Sequence, residues 1–154
     1  MNLSRLDYCN CLLAGCPQFL IDRVQKVQNA AARLICRAKK LDHFQPILQS
    51  LHWLPIRARI QYKISTLCFI VITDTGQQYL SEPLHLKTLE RDFRSSADTR
   101  ILKIPRSNSK AVGQRSFSHV SPSTWNGLPY TLHHSDSKTP FRQALKTHLF
   151  QQSF

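Results

Sequence analysis

The chain has 154 residues, of which 42% are hydrophobic, and this length and composition suit one domain with a core and exclude disorder throughout. Lysine and arginine number 21 against 9 acidic residues, and the formal net charge of +12 predicts attraction to a polyanion. The longest apolar run, 67–72, is far shorter than the ~20 residues of a membrane-spanning helix, so nucleic acid is favoured over a membrane as partner.

The amino-terminal segment and the cysteines indicate an intracellular protein. Arg5 and Asp7 interrupt the region where a secretory signal would be continuously apolar, so we expect no secretion and a location in the nucleus or cytoplasm. The five cysteines are odd in number and lie in apolar contexts, which predicts reduced, buried thiols. Because no C-x2-C pair is present, we expect no metal, and no cofactor motif is found.

A helix is predicted over 3–14, and a long amphipathic helix over 17–40. The apolar face of the long helix consists of Leu20, Ile21, Val24, Val27, Ala31, Leu34, Ile35 and Ala38. A separate basic stripe consists of Arg23, Lys26, Arg33, Arg37 and Lys40. No acid lies between 23 and 40 to neutralise this stripe, which is therefore predicted to contact phosphates; an ordinary solvated face is the alternative.

Two more helices follow from the apolar spacing. Asp42 is the predicted N-cap of a short helix over 44–51. Pro55 opens a longer helix, whose apolar side recurs every three to four positions as Ile56, Ile60, Ile64, Leu67, Cys68 and Val71. The basic flank of this longer helix, which outlines a nucleic-acid groove, consists of Arg57, Arg59 and Lys63. Of these cations, Arg57 and Lys63 are predicted nucleic-acid contacts.

A second basic region follows a polar stretch. Residues 82–98 are irregular in pattern and form the predicted linker, whereas 99–135 contains no acid. The cations of this region are also predicted to bind nucleic acid: Arg100, Lys103, Arg106, Lys110 and Arg115.

The carboxy-terminal third combines short extended segments with a final helix. Extended pieces are predicted at 100–104 and 116–120. A tight turn is predicted at 125–129, where Trp125 is expected in the core rather than stacked on a base. The last helix begins at its predicted N-cap, Thr139.

The predicted fold is therefore mainly α, a small domain of about five helices with short extended segments in its carboxy-terminal third. We expect a helical basic region at 1–81, the linker at 82–98, and a basic, turn-rich segment at 99–154 closed by the terminal helix. The two long helices should bury one set of side chains together: Val24, Val27, Ala31, Leu34, Ile60, Ile64 and Leu67.

Several stretches resemble, in the same order, the region that follows the polymerase core in reverse transcriptases of non-LTR, LINE-type, jockey-like retrotransposons. They are SRLDYCNCLLAG (4–15), RVQKVQNAAARLICR (23–37), LHWLPIRARIQYKI (51–64), YLSEPL (79–84), FRSSAD (93–98), GQRSFSHVSPSTWNGLP (113–129) and FRQALKTHLF (141–150). The family usually has Gly-x-Ala-Pro before the Tyr-Leu pair, where this chain has Gln77 and Gln78.

The resemblance implies a thumb-like, non-catalytic region that holds template RNA or target DNA beside an upstream polymerase domain, which would itself be a partner. We expect no enzymatic activity, because no adjacent aspartate pair is present to hold two divalent ions. Two alternatives stay open: a protein-interaction or scaffold module that docks an acidic partner, and a decayed retrotransposon-derived reading frame with no selected function.

Overall fold

Helices make up most of the described structure. The computed structural model describes residues 7–39, 42–73, 81–82, 84–86, 100–107, 109 and 113–154. Its α-helices are α1 (Gln18–Cys36), α2 (Phe44–Ser50), α3 (Ile56–Ile72), α4 (Phe117–Asn126), α5 (Tyr130–His133) and α6 (Lys138–Ser153). Also present are two 3-10 turns, Asn10–Leu13 and Gly113–Arg115, and an antiparallel bridge between Leu86 and Leu102. The predicted mainly α fold class is confirmed.

The helix α3 lies at the centre and packs against α6, α4, α1 and the first 3-10 turn. The residues that it buries on the predicted face are Ile56, Ile60, Ile64 and Cys68. Next to them, the rings of Phe69 in α3 and Phe141 in α6 stack with centroids 4.3 Å apart. Helices from the segments 1–81 and 99–154 therefore share one hydrophobic core.

The helix α1 turns a different face to the core from the one predicted. Its buried residues are Ile21, Gln28, Asn29 and Ala32. By contrast, the side chains of Val27 and Leu34 are 59% and 73% exposed, so the expectation that they lie in the core is wrong. The reason is that backbone groups at the start of α3 need hydrogen-bond partners, which α1 supplies from amide side chains.

A network of amides on α1 satisfies those backbone groups. The Ile56 N–H, in the first turn of α3 where no intrahelical acceptor exists, donates to Gln25 Oε1 at 2.9 Å. Gln28 Nε2 donates to the Leu54 carbonyl at 2.8 Å, and Gln25 Nε2 donates to Asn29 Oδ1 at 2.8 Å. If α1 packed an apolar face against the start of α3, the Leu54 carbonyl and the Ile56 N–H would have no hydrogen-bond partner. Hydrogen bonding therefore sets the rotation of α1 about its own axis.

The end of α1 also departs from the prediction. The helix stops at Cys36 instead of reaching residue 40, because Arg37 adopts a left-handed conformation with φ of 50°. The Ala38 N–H then turns back to the Arg33 carbonyl at 3.0 Å. Within the described ranges, two further non-glycine residues have similarly positive φ values, 50° at Cys9 and 52° at His52.

Three predicted local features are corrected. The helix predicted over 3–14 is, where the structure describes it, mainly the 3-10 turn Asn10–Leu13. Asp42 does not cap α2, because its Oδ2 accepts a hydrogen bond from the Lys39 N–H at 2.7 Å. The helix α6 begins at Lys138, ahead of Thr139, which was the predicted N-cap.

The segment 116–120 is helical rather than extended, since it forms the start of α4. Ser116 has the extended backbone that precedes the helix, and Pro122 lies buried inside it. Trp125 is fully buried, as predicted, and its indole Nε1–H donates to the Arg100 carbonyl at 2.6 Å. This bond fastens the segment that begins at residue 100 to α4.

The predicted linker, 82–98, lies mostly outside the described residues, although Leu84 within it is buried. The five cysteines are free thiols, but Cys9 and Cys36 are exposed, so the expectation of buried thiols is wrong for them. Cys68 is buried, as expected. None of the described helices has the length and apolar character needed to cross a membrane.

Candidate nucleic-acid interface

The predicted basic stripe on α1 is only partly available to a ligand. Arg23, Lys26 and Arg37 are exposed. Arg33 is half-buried, and its Nε and Nη2 donate to the Asp42 carbonyl at 3.3 and 3.0 Å, which fastens the end of α1 to the turn before α2. Lys40 lies outside the described residues. The stripe therefore presents Arg23, Lys26 and Arg37 to solvent.

Apolar side chains share this outer face of α1. Phe19 is 62% exposed, and at about 100° per residue it lies on the same side as Arg23 and Lys26, as Val27 and Leu34 nearly do. The helix thus has one mixed outer face instead of the two separate faces predicted. The amide network explains this arrangement, because it turns much of the expected apolar side outward.

The predicted cations of α3 do not act together. Arg57 and Lys63 are both exposed, but they line different cavities. Arg57 borders a cavity of about 170 Å³ with Ile21 and Thr124. Lys63 borders a cavity of about 370 Å³ between α3 and α6.

The carboxy-terminal cations are spread over the surface. Lys103, Arg106 and Arg115 are exposed, and Arg115 Nη2 lies 3.0 Å from Cys16 Sγ. Arg100 is half-buried, and its Nη1 donates to the His133 carbonyl at 3.3 Å, which gives its guanidinium a structural role. Lys110 lies outside the described residues.

The larger cavity gathers cations from two helices and is named here the basic pocket. Its positively charged lining residues are Arg59, Lys63, Arg142 and Lys146. Aromatic rings also line it, those of His52, Trp53 and Tyr62. The pocket brings together positive charge and flat apolar surfaces, the combination with which proteins bind single strands of nucleic acid.

One carboxylate lies among these cations, and it is already engaged. Asp7 forms the one ion pair found within the described part of the chain, with Arg59, whose Nε donates to Asp7 Oδ1 at 2.9 Å. Arg142 Nε donates to the Tyr62 hydroxyl at 3.0 Å, and its guanidinium lies 5.9 Å from the centre of that ring. Lys63, Arg142 and Lys146 therefore retain their charge without a described acidic partner.

Sequence reasoning missed Arg142, Lys146 and Tyr62 as site residues. A signal existed, because Lys63 follows Arg59 by four residues and Lys146 follows Arg142 by four, so each pair shares one helical face. What the sequence could not supply was the packing of α3 on α6, which joins Tyr62 to Arg142 across 80 residues of chain.

The buried thiol of Cys68 and the potential metal ligands bear on the chemistry that the described residues support. Burial raises the pKa of the Cys68 thiol to about 12, so it stays protonated and unreactive at neutral pH. Across the described ranges, no three His, Cys, Asp or Glu side chains gather where they could hold a metal ion. The cations that line the basic pocket are suited to binding anions.

No family model, curated protein or solved structure matches this chain. The retrotransposon origin therefore rests on the sequence stretches quoted above and stays a prediction.

Proposed function

We propose that the chain is a non-catalytic nucleic-acid-binding module that holds RNA or DNA by its phosphates. The observation that carries this proposal is the state of its cations: the chain has a net charge of +12, and a single ion pair occurs within the part of it that the structure describes. Unpaired surface cations that displace condensed counterions from a phosphate backbone are the main source of nucleic-acid affinity. The resemblance to the post-polymerase region of LINE-type reverse transcriptases points to the same function.

Binding should be measured by fluorescence anisotropy with a labelled single-stranded RNA and a duplex DNA over a range of salt concentrations. With about four phosphates neutralised, the slope of log affinity against log salt should be about −3 for the single strand and about −4 for the duplex. Equal affinity for polyglutamate of the same length would contradict the proposal, because it would show attraction to any polyanion.

A variant of the α1 stripe sharpens this test. Arg23→Gln with Arg37→Gln removes two exposed charges and spares Arg33, whose bonds to Asp42 are structural. We expect the single-strand slope to flatten by about 1.4 with little change in melting temperature. The charge-matched control, Lys87→Gln with Arg91→Gln in the predicted linker, should change the slope much less.

A second candidate function, a protein-interaction module, is favoured by one observation. Phe19, Val27 and Leu34 are exposed on α1 beside its cations. Such a mixed surface suits an acidic, amphipathic protein segment. If the α1 variant bound both nucleic acids with the parent's affinity and salt slope, this function would take precedence for that face.

A further inference from the structure

The basic pocket has the size of a site for one small ligand group. Its volume of about 370 Å³ lies near the lower end of the range for small-molecule sites, about 300–1,000 Å³. A cavity of this size can admit one nucleotide, whereas a duplex could only lie across its rim. A pocket of this size is therefore expected to favour a single strand over a duplex, which an exposed basic helix face does not do.

The charge in the pocket is placed for a phosphate. Arg59 is neutralised by Asp7, which leaves Lys63, Arg142 and Lys146 to face the ligand. Lysine ammonium groups bind phosphate as point charges, and an arginine guanidinium binds two of its oxygens at once.

A buried acceptor in the pocket lacks a donor. Asn10 lines the pocket and is only 4% exposed, and its Nδ2 donates to Asp7 Oδ1 at 3.4 Å. Its Oδ1 is buried and accepts no hydrogen bond from the residues that the structure describes. An unsatisfied buried acceptor costs about 1–3 kcal/mol, so a ligand whose N–H group reaches this oxygen, once a small movement of the Asn10 side chain uncovers it, gains binding energy.

The rings in the pocket suit a flat, weakly polar group. Trp53 and Tyr62 are half-buried and line the same cavity as Asn10. Stacking of a base on an aromatic ring contributes about 1–3 kcal/mol to the binding of single strands. A nucleotide with an unpaired base offers a protein its phosphate, the hydrogen-bonding edge of its base and the flat face of its base. The cations, the hydrogen-bond acceptor and the aromatic rings of the pocket correspond to these three parts.

We propose that the basic pocket holds one unpaired nucleotide of a single-stranded nucleic acid. Its phosphate lies against Lys63, Arg142 and Lys146, its base against Trp53 and Tyr62, and an N–H group of the base donates to Asn10 Oδ1. This inference rests on the proposed nucleic-acid binding and adds a preference for single strands over duplexes. An acidic peptide would satisfy the cations but would offer no flat ring that also donates to Asn10.

The test compares a labelled single-stranded oligonucleotide of about 20 nucleotides with a blunt duplex of the same length, in about 50 mM salt. The pocket variant is Lys63→Gln with Lys146→Gln, which breaks none of the hydrogen bonds described above. The charge-matched control is Arg23→Gln with Lys26→Gln on α1. An uncharged variant, Asn10→Leu, removes the unpaired acceptor without changing the charge.

The parent should bind the single strand about tenfold more tightly than the duplex at equal salt. The pocket variant should lose most of this preference, and the α1 control should weaken both complexes by similar factors. Asn10→Leu should lower single-strand affinity about threefold to tenfold and leave duplex affinity unchanged, with a cooperative melt confirming that it folds.

Failure of the inference differs from failure of the proposed function. If both nucleic acids bind but the pocket variant weakens them equally, or the parent shows no preference, the pocket is only one more phosphate contact and the inference is overturned. If neither binds at about 50 mM salt, the proposed function itself fails. Tighter binding of a polyglutamate chain than of the single strand would make the pocket a peptide site and would also overturn the inference.

Discussion

The helices α1 and α3 have similar lengths and similar numbers of cations, yet the sequence predicts the buried face of one and misplaces that of the other. In α3 the apolar residues cover most of the helix and meet neighbours from α1, α4 and α6. In α1 the apolar residues form one side, but the face that packs is chosen by amides that satisfy the start of α3. Hydrophobic periodicity is thus a reliable guide for a helix surrounded by others, and a weaker one for a peripheral helix with competing polar contacts.

The largest effect should come from placing the same charge on each helix. Ile64→Asp in α3 buries a carboxylate at a position that is 2% exposed and should abolish the cooperative melt, since an unpaired buried charge costs several kcal/mol, about the whole stability of such a domain. Leu34→Asp in α1, although sequence reasoning places it in the core, should change the free energy of unfolding by only about 0.5 kcal/mol. Unfolding by Leu34→Asp with tolerance of Ile64→Asp would reverse the assignment of faces.

An intermediate effect is expected from the amide network. Gln25→Ala leaves the Ile56 N–H without its acceptor and should lower the free energy of unfolding by about 1–3 kcal/mol, measured by urea denaturation. Gln49→Ala, at an exposed position in α2, is the matched control and should be nearly neutral. Equal midpoints for the two variants would show that the amides do not orient α1.

The smallest effect concerns how α1 ends. Arg37→Gly should raise the free energy of unfolding by about 0.5–1 kcal/mol, because a left-handed residue is strained with a side chain and relaxed without one. Lys26→Gly, at an exposed position inside the same helix, should lower it by about 1 kcal/mol. If both substitutions raised the free energy of unfolding, or if neither did, Arg37 would not be the left-handed residue that ends α1.

Sequence reasoning could predict what depends on local pattern. The face of α3, the burial of Trp125 and the helix that contains Phe141 and Leu145 all follow from spacing and residue size. The rotation of α1 could not be predicted in this way, because the acceptor for the Ile56 N–H comes from a residue 31 positions away.

The candidate site was predictable to a similar extent. Lys63 was predicted as a nucleic-acid contact and lines the basic pocket, and Arg23, Lys26 and Arg57 are exposed as a phosphate contact requires. The basic pocket itself depends on Asn10, Tyr62 and Arg142 coming from three separate parts of the chain. No residue pattern within one helix predicts that these side chains line the same cavity. Their proximity depends on the packing of α6 on α3.

The left-handed residues at the edge of the basic pocket bear on how fast it can bind. Cys9 immediately precedes Asn10, and His52, itself a lining residue, precedes Trp53. A non-glycine residue holds such a conformation only where its surroundings fix it, so the backbone next to Asn10 and Trp53 is held in place before any ligand arrives. A preformed site loses little conformational entropy on binding. Association should then be limited by diffusion and electrostatic steering rather than by a rearrangement of the protein, and affinity among pocket variants should differ mainly in the rate of dissociation.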